Sequence, residues 1–268
     1  MLLTIDFGNT SIKFGVFDGY ELVAFTCLDE RPDDYRNAIL SFLFRSNLRA
    51  DCIEDAILSC VVLSEYEKIY TALSSIVTGR VIDIVQDKDY GIKLDVPHPE
   101  EVGDDLVVMA AYSYYLHPEE QIIVSLGTCT VLIHITENGE FKHCIIAPGF
   151  KKICSSMWDS ASQLPKIEVT KKNSFLANTT VDAMNVGMYN GFIGMVAFLI
   201  AGLKDEIGKG SLFVQGCGGQ GNMVVPCISF FDEYDPDFVT KGLSYIYYSF
   251  ERWTRLFWLH NLQEEKNF

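Results

Sequence analysis

The chain has 268 residues, of which 49% are hydrophobic, and a formal net charge of −15 from 21 basic and 36 acidic residues. This composition is typical of a globular protein rather than a disordered one, and the length allows one large or two medium domains with a sizeable core. The acidic balance argues against a nucleic-acid groove, which needs a basic surface. It does not exclude phosphate ligands, which loop dipoles can bind on an acidic protein.

The N-terminal stretch predicts a strand, a polar turn and a return strand. Leu2–Ile5 is an apolar run that ends at Asp6, Phe7–Thr10 has the small polar residues of a turn, and Ser11–Phe17 alternates like a second strand. Such a turn can cradle phosphate, Asp6 can hold a hydrated Mg²⁺ beside it, and Lys13 adds positive charge. An ordinary surface turn with an ordinary aspartate fits this segment equally well.

Strands and helices then alternate, which predicts a mixed sheet with helices packed on it. We expect Ser64 to be the N-cap of the second helix, with Glu67 at the capping-box position. The predicted elements are a strand at Tyr20–Cys27, a helix from Arg31 to about Ser46, a strand at Asp55–Val62, a helix at Ser64–Ile76 and a strand at Val81–Val85.

A linker with two prolines, Val96–Asp105, precedes an apolar and aromatic segment with helical spacing, Leu106–Leu116. Asp104 or Asp105 therefore lies at the N-terminus of this helix. A carboxylate there can be a plain cap for free N–H groups. Two adjacent aspartates exceed what one cap needs, so one of them can instead face a cleft.

The second half repeats the pattern of the first. Gln121–Ser125 predicts a strand, Leu126–Thr130 is again a glycine turn rich in hydroxyl groups, and two further strands follow at Val131–Thr136 and Phe141–Ile146. This duplication predicts two halves that face each other across a cleft lined by two phosphate loops. The alternative is a coincidence between two unrelated β-meanders.

The remaining segments predict two helices, a strand and an aromatic tail. The helices are at Lys152–Gln163 and Val181–Leu203, and the strand at Leu212–Gly216 enters the glycine-rich loop Gly216–Gly219. That loop can let a base or a ribose approach the backbone, or it can be an ordinary tight turn. The tail, Phe238–Leu262, is expected to be helical and to serve as core or oligomer contact. Its large aromatic residues include Trp253, Phe257 and Trp258.

Cysteine usage and hydropathy predict a cytosolic protein. No two cysteines form a CxxC pair and most lie in apolar segments, so we expect free core thiols in a reducing compartment. No signal peptide precedes the first strand, and no apolar run approaches 18 residues, so no membrane span is expected; Met188–Leu203 comes closest. The eight cysteines are Cys27, Cys52, Cys60, Cys129, Cys144, Cys154, Cys217 and Cys227.

The duplicated glycine and threonine hairpin resembles the superfamily of acetate kinase, sugar kinases, Hsp70 and actin. Within it, the chain resembles the type III pantothenate kinases along most of its length. Six short motifs follow in the family's order. They are Asp6–Thr10 with Lys13; Pro99–Asp105; Leu126–Thr130; Ile146–Gly149 with Gln163–Pro165; Asn178–Val181 with Met184; and Gly216–Gly219.

The resemblance implies two ribonuclease H-like domains, at residues 1–116 and 117–268, each a mixed five-stranded sheet with helices, and a helical tail on the second. The implied activity is ATP-dependent phosphorylation of pantothenate to 4′-phosphopantothenate, the first step of coenzyme A biosynthesis. The resemblance further implies a cytoplasmic homodimer whose substrate pocket is completed across the dimer interface. No nucleic-acid or membrane partner is expected.

The resemblance also implies roles for individual residues. Asp105 matches the general base, and Asp6 would help to organise Mg²⁺ and the ATP phosphates. The implied ATP-binding residues are Asp6, Gly8, Asn9, Thr10, Lys13, Gly127, Thr128, Gly218 and Gly219. The implied substrate-binding residues are Gly103, Asp104, Asp105, Leu106 and Thr180.

Three departures from the family pattern keep a second function class open. Leu106 replaces an arginine that would pair with the substrate carboxylate, Met109 replaces an asparagine, and Ser125 replaces the aspartate that binds an activating monovalent cation, K⁺ or NH₄⁺. The alternative is therefore a weakened or inactive homologue that binds a nucleotide or a pantothenate-like ligand as a regulator. An ATP phosphatase of the same superfamily is a more distant third.

Overall fold

The computed structural model describes residues 1–161, 163–172, 174–209, 212–221 and 231–251. The chain forms two compact units, one of Met1–His117 with the described residues from Phe238 onward, and one of Pro118–Asp237. The prediction that the tail belongs to the second half is therefore wrong for its described part, since the helix that begins at Phe238 packs on strands of the first unit. Trp253, Phe257 and Trp258 lie outside the described residues.

The first unit contains a five-stranded mixed sheet. Its elements are β1 Leu2–Phe7, β2 Ile12–Asp18, β3 Glu21–Leu28, α1 Tyr35–Arg45, β4 Asp55–Cys60, α2 Leu63–Ser74, β5 Val81–Asp83, the short β6 Lys93–Leu94, and α3 Asp104–Leu116, with 3₁₀ turns at Ala50–Cys52 and Pro99–Glu101. The strand order is β3-β2-β1-β4-β5. β1 runs antiparallel to β2 and parallel to β4, and β5 is parallel to β4.

The second unit repeats this arrangement. Its elements are β7 Gln121–Leu126, β8 Cys129–Ile135, β9 Glu140–Pro148, α4 Phe150–Ser160, α5 Thr180–Ile207, β10 Phe213–Cys217 and β11 Glu233–Asp235. Its strands lie in the order β9-β8-β7-β10-β11, with the same antiparallel and parallel pairings as the first unit. The predicted duplication is therefore confirmed, and β11 is a strand that the sequence did not predict.

The two faces of the first sheet have different functions because alternate residues of a strand point to opposite sides. Leu3, Ile5 and Phe7 of β1 belong to the apolar core that includes residues of α1 and α2. Thr4 and Asp6 therefore face the other way. That second face is covered by α6, Phe238–Ile246, which packs on β1, β2 and β4. A π-helical turn, Tyr247–Glu251, follows α6.

Local hydrogen bonds explain where the predicted helix starts were wrong. Asp34 caps α1 by accepting from the Asn37 N–H at 2.9 Å, so this helix begins at Tyr35 rather than near Arg31. α2 begins at Leu63, and Val62 in the N-cap position makes no side-chain capping bond. The predicted capping box of Ser64 and Glu67 is therefore wrong.

Helix α5 has one face in the core of the second unit and is longer than predicted. Met184, Met188, Phe192 and Val196 lie on the buried face, and the helix ends at Gly208, which adopts the left-handed conformation at φ 70°. Among the described helices, α5 alone is long and apolar enough to cross a membrane by length and composition. The core helix of a globular protein can reach the same limit, so the expectation that the chain has no membrane span stays a prediction.

Not all the cysteines are core thiols. The seven described cysteines are thiols outside any disulfide, as predicted, but only Cys60, Cys154 and Cys217 are buried. The exposed ones are Cys27, Cys52, Cys129 and Cys144. Three of these lie on the outer strands or on the sheet positions that face solvent, where an apolar neighbourhood in the sequence does not produce burial. Cys227 lies outside the described residues.

A fully buried carboxylate ties the C-terminal π-helical turn to β4. Asp55 accepts a hydrogen bond from the Arg80 N–H at 2.6 Å and another from the Tyr247 hydroxyl at 2.8 Å. Asp55 lies at the first position of β4 and Tyr247 directly follows α6. The pair therefore holds the helix that covers the Asp6 face of the sheet.

We predict that Tyr247→Phe lowers the free energy of unfolding by about 1–3 kcal/mol, because the buried Asp55 carboxylate loses a donor that no solvent replaces. Urea unfolding of the full chain measures this change. Tyr115→Phe is the matched control, because the Tyr115 side chain is 57% exposed and its hydroxyl can bond to water. Equal effects of the two substitutions would contradict the role given to the Asp55–Tyr247 pair.

Candidate active site

Asp6 and Lys13 form a largely buried ion pair in the first sheet. They are direct partners across β1 and β2, and Lys13 Nζ lies 3.3 Å from Asp6 Oδ2. Only 13% of the Asp6 side chain and 14% of the Lys13 side chain are exposed. β1 continues through Phe7, so Asp6 is the penultimate residue of the strand rather than its last. The pair places a carboxylate and an ammonium group directly beside the polar turn.

The turn after β1 is closed by the Gly8 N–H, which donates to the Ser11 carbonyl at 3.0 Å. Asn9 and Thr10 are exposed at its tip. Arg31, which the sequence reasoning did not single out, donates from Nη2 to the Asn9 carbonyl at 3.3 Å, and its guanidinium group lies 5.8 Å from the centre of the Phe7 ring. Two cationic groups, Lys13 and Arg31, therefore flank this turn.

Asp105 lies in the first turn of α3 and is a carboxyl group with an unusual proton affinity. Burial, and then the negative charge of Asp6, raises the pKa of Asp105 to about 6. Its Oδ1 accepts from the Leu106 N–H at 3.0 Å. A Cβ on Gly103 would lie 2.8 Å from the same oxygen, so the glycine gives the carboxylate room to fold back over the helix start. The group combines a raised pKa with a fixed orientation, as a general base requires.

Asp104 is bound differently from Asp105. Its Oδ2 accepts from the Cys60 N–H at 3.3 Å and its Oδ1 from the Gln86 side-chain amide at 2.7 Å. Burial raises the pKa of Asp104, while these two donors act in the opposite direction. Both oxygens of Asp104 are thus engaged with protein groups.

Ser59 on β4 is a second residue that the sequence did not reveal. It is the register partner of Asp6 across the parallel strands β1 and β4, so both side chains point to the same face of the sheet. Ser59 is 1% exposed, and its hydroxyl has no hydrogen-bond partner in the part of the chain that the structure describes. No motif in the sequence marks this position, because the residues become neighbours only through strand pairing.

Leu106 and Met109 lie in α3 as the sequence predicts. Leu106 is partly exposed, whereas Met109 is buried at 1% exposure. Neither side chain carries an N–H or O–H donor. The arrangement around Asp105 in the first unit therefore lacks the arginine that would follow it in the family pattern.

The glycine motifs of the second unit pack on each other. Gly149 lies so close to the carbonyl oxygens of Gly127 and Thr128 that a Cβ would clash, and its N–H donates to the Thr128 carbonyl at 3.2 Å. Gly218 has φ 95°, and a Cβ there would lie 2.6 Å from the Leu126 carbonyl. The structure therefore brings together three segments that are far apart in the sequence.

The outer residues of this cluster are open to solvent. Thr128 is exposed, and a Cβ built on Gly219 would have no atom within 4 Å. The turn is closed by the Gly127 N–H, which donates to the Cys129 carbonyl at 3.0 Å, and the Gln220 N–H donates to the Leu126 carbonyl at 2.9 Å. A closed turn with an open glycine beside it leaves space for a ligand to approach the backbone.

Ser125 and Thr180 also lie in the second unit. Ser125 is partly buried on β7, in register with Val131 of β8 and Cys217 of β10. Thr180 is exposed and is the first residue of α5. The N-cap of this helix is Thr179, whose hydroxyl oxygen accepts from the Asp182 N–H at 3.1 Å. The structure thus places Thr180 at a helix start with its side chain accessible.

The donors around Asp6 fit a magnesium ion that is shared with phosphates better than an all-protein metal site. The described residues contain no group of three or more His, Cys, Asp or Glu side chains that could hold a metal. Mg²⁺ bound to nucleotide phosphates usually takes only one or two carboxylates and keeps several waters. Asp6 can supply one such carboxylate, with Lys13 and Arg31 as additional charge for the phosphates.

Structural comparison identifies the fold. The chain is similar to the (R)-2-hydroxyglutaryl-CoA dehydratase component A of Acidaminococcus fermentans, with a TM-score of 0.54 and 16% identity, over 94% of this chain and 98% of that one. This likeness, with the repeated strand order, confirms the predicted fold class of duplicated ribonuclease H-like domains of the actin and sugar-kinase type.

Sequence comparison identifies the family. The sequence model of the type III pantothenate kinase family matches residues 2–202. The chain is 32% identical over 251 residues to the type III pantothenate kinase of Agathobacter rectalis, covering 92% of this chain and 96% of the relative. It is also 32% identical over 256 residues to that of Dehalococcoides mccartyi, covering 92% and 95%. The chain therefore belongs to the type III pantothenate kinase family.

Proposed function

We propose that this protein transfers the γ-phosphoryl group of ATP to the primary hydroxyl of pantothenate, giving 4′-phosphopantothenate for coenzyme A biosynthesis. The observation that carries the proposal is Asp105, a partly buried carboxyl group with a pKa of about 6 close to the Asp6–Lys13 pair. Family membership supplies the substrate. No observation on the described residues favours the inactive regulator over the enzyme.

The proposed reaction needs one proton acceptor and several groups that balance phosphate charge. Asp105 accepts the hydroxyl proton while the substrate oxygen forms a bond to the γ-phosphorus, and the bond from that phosphorus to the β,γ-bridging oxygen breaks to release ADP. Lys13 and Arg31 offset the phosphate charge. Phosphoryl transfer depends mainly on such positioning and charge neutralisation.

The remaining assignments follow the family pattern and are proposals for this chain. Gly8, Asn9, Thr10 and Lys13 surround the phosphates from the first unit. From the second unit, we assign Gly127, Thr128, Gly218 and Gly219 to ATP and Thr180 to pantothenate. Asp6 would hold Mg²⁺, which when bound supplies positive charge to the phosphates.

We also propose a cytoplasmic homodimer. The solvent face of α5 is the surface that we assign to a second copy of the chain, since its glycines are open and Phe198 on it is 77% exposed. Small residues on this face would let two helices approach closely. The glycines concerned are Gly187, Gly191, Gly194 and Gly202.

We predict that Asp105→Asn abolishes phosphorylation and leaves nucleotide binding nearly unchanged, because the amide cannot accept the proton. In the unsubstituted protein, kcat should fall as the pH drops through about 6, because protonation of Asp105 removes the base. Release of ADP with pantothenate present and absent measures the activity. Asp33→Asn, an exposed carboxylate, is the control. Turnover that persists in Asp105→Asn would assign the base to another residue.

We predict a raised KM for pantothenate, because Leu106 cannot pair with the substrate carboxylate. A lysine elsewhere, with Lys151, Lys152 and Lys166 as candidates, would have to replace the lost arginine. Leu106→Arg should lower KM about tenfold, as expected for a charge-assisted pair. Leu116→Arg adds the same charge at the far end of α3 and should leave KM unchanged. A low-micromolar KM that Leu106→Arg does not improve would contradict this interpretation.

We predict that activity depends little on K⁺ or NH₄⁺, because Ser125 offers a neutral oxygen where a carboxylate would hold the cation by charge. The test compares initial rates in KCl, NH₄Cl and choline chloride at equal ionic strength. Ser125→Asp should create a dependence on K⁺. Strict dependence in the unsubstituted protein would show that another oxygen replaces the missing carboxylate.

A further inference from the structure

Gln86 brackets the glycine that precedes the two aspartates. Its side-chain Nε2 donates to the Val102 carbonyl at 3.0 Å and to Asp104 Oδ1 at 2.7 Å. Val102 and Asp104 are the two neighbours of Gly103, so one amide group holds both sides of this residue. The other oxygen of Asp104 accepts from the Cys60 N–H at 3.3 Å.

These bonds join three elements at one place. Cys60 is the last residue of β4, Gln86 lies three residues after β5, and Asp104 is the first residue of α3. Gly103 occupies the N-cap position of α3 and makes no side-chain capping bond. The first turn of α3 is therefore tied to β4 and to the segment after β5 through Asp104 and Gln86.

The position of Asp105 depends on this first turn. Asp105 directly follows Asp104, and its carboxylate folds back against Gly103. A displacement of the helix start would move the carboxylate away from Asp6, with which it interacts electrostatically. Misplacement of a catalytic group by about 1 Å can cost about 100-fold in rate.

We propose that Gln86 and Asp104 are positioning residues that hold Asp105 in its catalytic place. This proposal rests on the proposed function. Gln86 acts only through its hydrogen bonds to Val102 and Asp104, the two residues next to Gly103. Asp104 acts both through its hydrogen bonds and through its negative charge beside Asp105. Neither residue needs to touch the reacting atoms.

The charge of Asp104 provides a readout that a purely structural role would not affect. Burial is the main cause that raises the pKa of Asp105, the charge of Asp6 is the next, and Asp104 adds to both. Other ionisable groups lie on the surrounding strands and on α6, which packs on α3. They are Lys13 and Asp18 of β2, Asp55 and Cys60 of β4, Asp83 of β5, and Lys241 and Tyr245 of α6. Removing the charge of Asp104 must lower the pKa of Asp105, and adding a negative charge at position 86 must raise it.

The first experiment uses Gln86→Ala in the full chain. We expect kcat to fall by about 10- to 100-fold with little change in KM for Mg·ATP, since the amide bonds that fix the helix start are gone while the phosphate turn is intact. Gln86→Glu should lower kcat further and move the acid limb of the kcat profile to higher pH. Full kcat in Gln86→Ala would overturn the proposal for Gln86.

The second experiment uses Asp104→Asn, which tests the charge as well as the bonds. An amide offers one acceptor where the Cys60 and Gln86 donors need two, so kcat should fall, and the acid limb should move to lower pH. Asp87→Asn removes an exposed carboxylate next to Gln86 and should leave both unchanged. An acid limb in Asp104→Asn that coincides with that of the unsubstituted protein would overturn the proposal for Asp104.

Two further measurements keep the result interpretable. Urea unfolding shows whether each variant is folded under the assay conditions. If Gln86→Ala is unfolded there, the test is made with Asp104→Asn instead. ¹³C NMR titration of the Asp105 carboxyl carbon in the unsubstituted protein and in Asp104→Asn needs no turnover. A lower midpoint in Asp104→Asn supports the proposed positioning of Asp105 by Gln86 and Asp104 even if pantothenate proves not to be the substrate. An equal midpoint in the two proteins counts against that positioning.

Discussion

Three carboxylates lie near one another in the first unit, and the surrounding hydrogen-bond donors and one ammonium group offset their repulsion. Asp6, Asp104 and Asp105 interact closely enough that Asp6 and Asp104 both raise the pKa of Asp105. Partly buried like charges are costly unless each finds a donor or an opposite charge. Lys13 forms an ion pair with Asp6, and the Cys60 N–H and the Gln86 side chain donate hydrogen bonds to Asp104. Asp105 is left with a local bond and a raised proton affinity.

The sheet explains how these groups reach one place. Odd-numbered residues of β1 enter the apolar core with α1 and α2, so Asp6 must face the opposite side. Lys13 and Ser59 are its neighbours on the adjacent strands and share that face. The alternation of side chains along β1 thus places apolar residues on the core face of the sheet and the polar residues of the candidate site on the opposite face. The covering helix α6 is fastened by the buried Asp55–Tyr247 bond.

Periodicity and turn chemistry in the sequence were sufficient to predict the repeated strands, because apolar alternation and the glycine turns are local signals. The duplication was visible for the same reason. Local signals were insufficient for the start of α1, which was predicted near Arg31. The Asp34 side chain caps the helix instead, so α1 begins at Tyr35. Local signals also failed for the tail from Phe238, whose place in the first unit depends on long-range packing.

The candidate site was predicted only in part. Asp6, Lys13 and Asp105 were found because they lie in or next to recognisable motifs. Gln86 and Ser59 were not, because a lone glutamine after a strand and a serine within one have no distinctive spacing. Their places become evident only when the ends of β4 and β5 meet the start of α3. The separate use of Asp104 and Asp105 likewise depends on which donors surround each carboxylate.

The proposed role of Asp105 as the general base depends on the proton affinity that burial beside Asp6 gives to its carboxyl group. The most direct test is a ¹³C NMR titration of the aspartate carboxyl carbons in the unsubstituted protein, with Asp105→Asn used to assign the signal. We expect the Asp105 signal to titrate with a midpoint of about 6. A midpoint at the ordinary value of about 3.9 for aspartate would contradict it.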